Sequence, residues 1–125
     1  MGANGDRLFV LDGERIAIRH RASTQVVARA EVICARAAKN GTWIVTVRGQ
    51  FKVREAMNRV VDKLASIGIV RIHRGLAVNG EKVRCIVGRS QHRLAVVLDG
   101  DEYYEVGRQF QREIRALFGA ARRAS

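Results

Sequence analysis

The chain has 125 residues, 47% of them hydrophobic, with a formal net charge of +11 and a pI near 11.2. This length fits one domain with an ordinary core that needs no disulfide or metal staple, and the charge favours a polyanionic partner. No apolar run approaches the ~20 residues that span a bilayer, and no signal peptide opens the sequence, so a soluble cytoplasmic protein is expected.

Residues 1–14 carry three glycines and weak periodicity, and read as a tail in which LFVL could form a short edge strand. RIAIRHR (15–21) alternates Ile16, Ile18 and His20 against arginines, the pattern of a strand with a cationic outer face. His20, on the apolar parity, reads as a partly buried structural histidine. A turn at 22–24 leads to a second strand over 25–28. Glu31 to Ala35 is apolar and contains Cys34. RAAKNGT (36–42) holds two cations and an Asn-Gly turn signal, and WIVTV (43–47) is a β-branched strand.

The period then changes. Val53, Met57, Val60, Val61 and Leu64 form one stripe of an amphipathic helix, and Gly68 suits its C-terminal cap. In VRIHRGLAVN (70–79), Val70 and Ile72 keep strand parity, but Arg74 falls on the inward register with Gly75 after it. The strand is therefore expected to end there, with Gly75 bending the chain back and Arg74 thrust outward. Asn79–Gly80 marks a turn, Lys82 to Val87 a strand, GRSQH (88–92) a polar loop, Arg93 to Leu98 a strand, Asp99–Gly100 a tight turn and EYYEV (102–106) the last strand. From Gly107 the spacing of Phe110, Ile114, Leu117 and Phe118 is helical, Gly119 ends that helix, and 120–125 is a basic tail. Cys34 and Cys85, each in an apolar stretch, read as reduced core residues. The expected architecture is all-β dominated: antiparallel strands with minor helical content.

Catalytic signatures are missing. There is no Gly-rich phosphate loop, His-Glu-x-x-His, Cys-x-x-Cys or nucleophile elbow, and the spacing of His20, His73 and His92 does not describe a zinc site. Neither an enzyme nor a cofactor is expected. Cations gather instead at turns: Arg36 and Lys39, beside Asn40, at the first; Arg71 and Arg74, beside His73, at the second; Arg108 and Arg112 at the start of the last helix. Turns held by a sheet leave long side chains free for recognition. If these three meet on one edge they can enter a major groove, where base edges are distinguishable, while neighbouring arginines hold phosphates.

The run Arg71-Ile72-His73-Arg74, its exit through Leu76 to Asn79, the preceding FKVREAMNRVVDKL, the earlier AEVICARAAKNGTWIV and the terminal Val106-Gly107-Arg108 together resemble the LytTR DNA-binding domain, the output module of bacterial response regulators. The resemblance covers roughly 15–119; the family's usual receiver domain is not found in the sequence, a departure that fits either a free-standing regulator or a piece of a longer one. It implies an elongated stack of small antiparallel sheets with one central short helix and a C-terminal helix. It also implies loops inserted into successive major grooves of double-stranded DNA. By position, Asn40 with Lys39, His73 with Arg74, and Gly107 with Arg108 would read bases, and Arg36, Arg71 and Arg112 would hold phosphates. Gly75 and Leu76 stand where the family commonly has Ser or Asn and then an aromatic, and Gly107 where it often has Ser or Arg.

The expected function is a sequence-specific transcriptional regulator bound as two copies to promoter repeats. Two other readings stay open: a basic RNA-binding protein, against which scarce aromatics (6%) weigh, and a module that pairs with a separate regulator protein.

Overall fold

A computed structural model describes the backbone of residues 7–90 and 93–124, and the side chains of 7–88 and 93–119. In chain order it contains β1 (Arg7–Asp12), β2 (Arg15–His20), β3 (Ser23–Ala28), β4 (Val32–Ala38), β5 (Gly41–Thr46), β6 (Gly49–Val53), α1 (Met57–Leu64), β7 (Ile69–His73), β8 (Leu76–Asn79), β9 (Val83–Ser90), β10 (Arg93–Leu98), β11 (Tyr103–Glu105) and α2 (Gln111–Ala124). Short 3-10 turns occupy Arg29–Glu31, Ala65–Ile67, Gly80–Lys82 and Arg108–Phe110. The strands form three antiparallel sheets, ordered β1-β2-β3, β6-β5-β4-β8-β7 and β11-β10-β9. The expected class, small antiparallel sheets with a central and a C-terminal helix, is the one observed.

The middle sheet is covered on both faces. On one side Ala35, Ile44, Ile69 and Ala77 pack with Leu8, Ile16, Ile18 and Val27 of the first sheet and with Met57, Val60 and Leu64 of α1. On the other, Cys34, Ile72 and Val78 pack with Leu94, Val96 and Leu98 of the third sheet and Ile114 of α2. Double coverage is why WIV and LAVN read as runs and not as clean alternation.

Two buried polar side chains tie the layers together. Asn79 donates from Nδ2 to the carbonyls of Arg29 (3.0 Å) and Val32 (2.8 Å), and its Oδ1 accepts from the Glu81 amide (3.0 Å). Glu55 accepts from the Leu8 amide (2.8 Å) and pairs with Lys63 Nζ (2.6 Å), which also donates to the Leu8 carbonyl (2.8 Å). Its own carbonyl accepts from Thr42 Oγ1 (2.8 Å). The free edge of β1 is thereby closed by α1. Burial pushes the Glu55 carboxyl up, but the Lys63 and Leu8 hydrogen bonds outweigh it and hold the group below the usual carboxylate range. Its stabilising effect is therefore present above the unfolded value of about 4.3 and is lost as pH falls through the lower folded value. Glu55→Gln should cost about 2 kcal/mol at pH 7, and the deficit should shrink below about pH 4. Urea denaturation of both proteins across pH checks this; a deficit constant with pH would contradict it.

Several expectations change. Residues 7–12 form a full six-residue edge strand whose Leu8 is completely buried. Val53 ends β6 and does not enter the helix, which starts at Met57; Gly68, in the left-handed region at φ 89°, closes the 3-10 turn that extends it. β9 runs on to Ser90, so 88–90 is strand, while Gln91 and His92 lie outside the described residues. Gly119 does not stop α2, which continues to Ala124: no left-handed cap forms there, and the following alanines and arginines are strong helix formers. Cys34 is buried, with its thiol pushed up by burial, but Cys85 is exposed on the edge strand β9, contrary to its reading as a core residue.

Candidate nucleic-acid interface

VRIHRGLAVN is a hairpin. β7 ends at His73, β8 begins at Leu76 directly opposite, and Arg74–Gly75 is the tip. Arg74 is exposed, as expected, because the strand has ended. Gly75 is not used for its freedom to bend, since its φ is not positive. It serves close approach: its carbonyl accepts from the Ala37 amide (2.9 Å), and an added Cβ would stand 3.5 Å from that of Ala37.

That bond sets the tip beside the end of β4, whose own hairpin turns at Lys39–Asn40. The turn is centred one residue earlier than Asn40–Gly41. Asn40 takes the left-handed conformation (φ 62°) that Asn tolerates, and Gly41 is needed because a Cβ would lie 2.2 Å from the Val53 carbonyl oxygen. On the other side, the Gly107 amide donates to the Ile72 carbonyl (2.7 Å), docking the start of the Arg108–Phe110 turn against β7. Gly107 is tightly packed: a Cβ there would lie 3.3 Å from Phe110 and 3.6 Å from His73. The three cation-bearing turns therefore stand side by side at one end of the middle sheet, in the order 107–108, 74–75, 39–40. Neighbouring strands lie ~4.8 Å apart, so this rim spans about 17 Å.

Its side chains fall into two groups. Lys39, Asn40, Arg74, Arg108 and Arg112 are exposed and make no side-chain hydrogen bond or ion pair among the described residues. Several arginines away from the rim are paired with carboxylates: Arg15 with Asp12, Arg29 with Glu81, Arg48 with Glu31, Arg84 with Asp101, Arg93 with Glu105. Arg36 lies on β4 opposite Leu76 and donates to Gln50 Oε1 (3.3 Å). His73 Nδ1 accepts from the Gly75 amide (3.2 Å), so the neutral ring carries its proton on Nε2, which is then its donor. A cleft of ≈ 310 Å³ beside His73 and Arg108 is completed by Arg93 and Glu105.

Arg71 departs from its expected part. Its guanidinium is turned back onto its own hairpin, donating to the carbonyls of His73 and Arg74 and to Asn58 Oδ1 of α1, and it lies 5.7 Å from the Phe110 ring centroid. It braces the tip against α1 and the 107–110 turn. Asn58 and Phe110, missed in the sequence as site residues, belong to this brace; only the helical spacing of Phe110 was visible there. Arg71→Lys keeps the charge but loses the planar fork. It should weaken binding to all duplexes as much as Arg71→Leu does, and both should cost about 1–2 kcal/mol of stability in thermal denaturation. Full retention of binding by Arg71→Lys would mean that Arg71 acts as a phosphate-binding charge.

A model of the LytTr DNA-binding domain matches residues 22–119, and the chain belongs to that family. Among solved structures, it is similar to the LytTr DNA-binding domain of a Bacillus cereus protein described as a methyl-accepting/DNA response regulator. The TM-score is 0.71 at 16% identity, over 85% of this chain and 97% of the other. No curated protein matches the chain. Among the described residues, no helix is long and apolar enough to cross a membrane.

Proposed function

We propose that the chain is a sequence-specific regulator of transcription that binds double-stranded DNA through the rim formed by 39–40, 73–74 and 107–108, with these turns inserted into successive major grooves. The observation that carries this reading is the alignment of the three turns through the Ala37–Gly75 and Gly107–Ile72 hydrogen bonds, with Lys39, Arg74 and Arg108 exposed and without a side-chain hydrogen bond or ion pair among the described residues. Arg74 and Arg108 suit the O6 and N7 edge of guanine, and Asn40 suits adenine. Lys39, Arg36 and Arg112 flank them as phosphate contacts. His73 supplies one further donor.

The rim's backbone is shorter than the ~34 Å repeat of a duplex turn. Extended side chains and a duplex bent toward the protein make up the difference, so flexible pyrimidine–purine steps are expected between the bases that are read. Two copies on paired repeats, acting in the cytoplasm where the DNA lies, complete the proposal; a separate regulator could join them there.

Binding isotherms against salt test it. With ~6 phosphate contacts, log K should fall against log salt with a slope near −5, and a selected duplex should be preferred over random sequence by at least 10³. A preference near one would refute sequence readout. Tighter binding of structured RNA than of any duplex would move the assignment to RNA.

A further inference from the structure

The first sheet has an exposed face, on the side away from the middle sheet. RLFVL (7–11) carries apolar residues on both strand parities, the pattern of a strand covered on both sides. Only one side is covered: Leu8 and Val10 pack into the core with Ile16, Ile18 and Val27. The register sets the other side in three rows. Phe9, Ala17 and Val26 lie next to one another across β1, β2 and β3. Arg7, Arg19 and Thr24 form the row on one flank, and Asp12, Arg15 and Ala28 the row on the other, with Leu11 at the bulge between Val10 and Asp12. Among the described residues six large apolar side chains are exposed, and three of them stand on this face: Phe9 (44%), Leu11 (49%) and Val26 (46%).

The charges beside this strip are of two kinds. Asp12 is held by Arg15 (3.1 Å). Arg7 and Arg19 stand directly opposite each other on neighbouring strands. Both are exposed, and neither makes a side-chain hydrogen bond or ion pair among the described residues. Like charges directly opposite on one face of a sheet are destabilising. A carboxylate set between the two guanidinium groups would relieve that repulsion.

We propose that this face docks a short acidic segment of another protein, with an apolar side chain on Phe9, Ala17 and Val26 and a carboxylate between Arg7 and Arg19. An apolar strip bordered by charge is the anatomy of a protein interface, and a phosphate backbone has nothing to set on the strip. A second copy of the chain suits the face less well. It brings two more arginines, and an Asp12 that Arg15 already holds. The face covers roughly 250 Å², far below the ~800 Å² per partner of a stable interface. The occupant is therefore a short segment, bound weakly and reversibly. The proposal goes beyond the DNA-binding reading and does not depend on it.

Fluorescence anisotropy tests it with a labelled peptide of alternating leucine and aspartate, about eight residues long, enough to run the length of a strand at ~3.3 Å per residue. Two control peptides carry serine for every leucine or lysine for every aspartate. The wild type and Arg74→Ala should bind the leucine–aspartate peptide alike. The double variants Arg7→Gln, Arg19→Gln and Phe9→Ser, Val26→Thr should each weaken it by about tenfold or more, and both control peptides should bind at least about tenfold more weakly. All four positions are exposed, so the fold should be kept; circular dichroism checks this. Removing the Arg7–Arg19 pair should leave the melting temperature equal or higher. No binding of the peptide by the wild type overturns the proposal. Equal binding of the serine peptide would mean that charge alone attracts it, and loss of binding in Arg74→Ala would place the peptide on the rim; either result also overturns it. If the Arg7, Arg19 variant loses duplex affinity and keeps the peptide, those arginines hold phosphates instead. A dimer in light scattering that Phe9→Ser, Val26→Thr dissociates would give the face to a second copy. Should no duplex bind at all, the DNA-binding reading falls and the peptide result stands by itself.

Discussion

Asn79→Ala is expected to lower stability by about 3–5 kcal/mol. Asn79 is completely buried, and all three of its hydrogen bonds go to backbone groups. Alanine leaves two carbonyls and one amide without that partner, and each buried unsatisfied group costs ~1–3 kcal/mol, part of it recovered by local shifts. The residue stands where the layers join: Arg29 leads from the first sheet, Val32 opens β4, and Glu81 lies in the turn that starts the third sheet. Asn79→Asp keeps the shape but removes the donor and sets a carboxylate against two carbonyls, so it should be no better tolerated. Guanidinium denaturation measures both. A loss below 1 kcal/mol would show that the junction holds without the latch.

Arg74→Ala should do the opposite: leave stability unchanged and cost ~1–3 kcal/mol of DNA affinity, roughly 5- to 150-fold, with specificity relaxed at one base pair. Its backbone carbonyl is held by Arg71, while its exposed guanidinium makes no hydrogen bond or ion pair among the described residues. Little is therefore lost in the free protein, and a positioned donor pair is lost in the complex. Arg74→Lys separates charge from fork geometry. It should keep the salt dependence while losing most of the discrimination. Melting curves and affinities for the selected site and its single-base variants check both substitutions. A lysine variant with full specificity would mean that Arg74 contacts phosphate and not a base edge.

Most of the fold was legible because period and turn chemistry agreed. Alternating RIAIRH, the helical stripe from Val53 to Leu64 (all but its first residue) and the break at Arg74 each gave one answer, and each element is present. The misses have local causes. Gly119 looked like a stop, but a glycine ends a helix only where the chain takes the left-handed cap, and here it does not. Cys85 looked buried because its neighbours are apolar, yet a strand at a sheet edge exposes more of itself than parity alone suggests.

The site was legible as a set of turns, and the structure brings those turns together. Which arginines are available was not legible. Arg71 and Arg74 look alike in the sequence, and only the folded hairpin turns one inward as a brace and leaves the other at the tip.

The account depends on the three turns reading one duplex in the order in which they stand on the rim. The direct measurement is a specificity profile over every base pair of the selected site for Asn40→Ala, Arg74→Ala and Arg108→Ala. The profiles should relax at three different positions, with the Arg74 position between the other two. Uniform weakening with no position relaxed, or an order along the DNA that departs from the order on the rim, would contradict it.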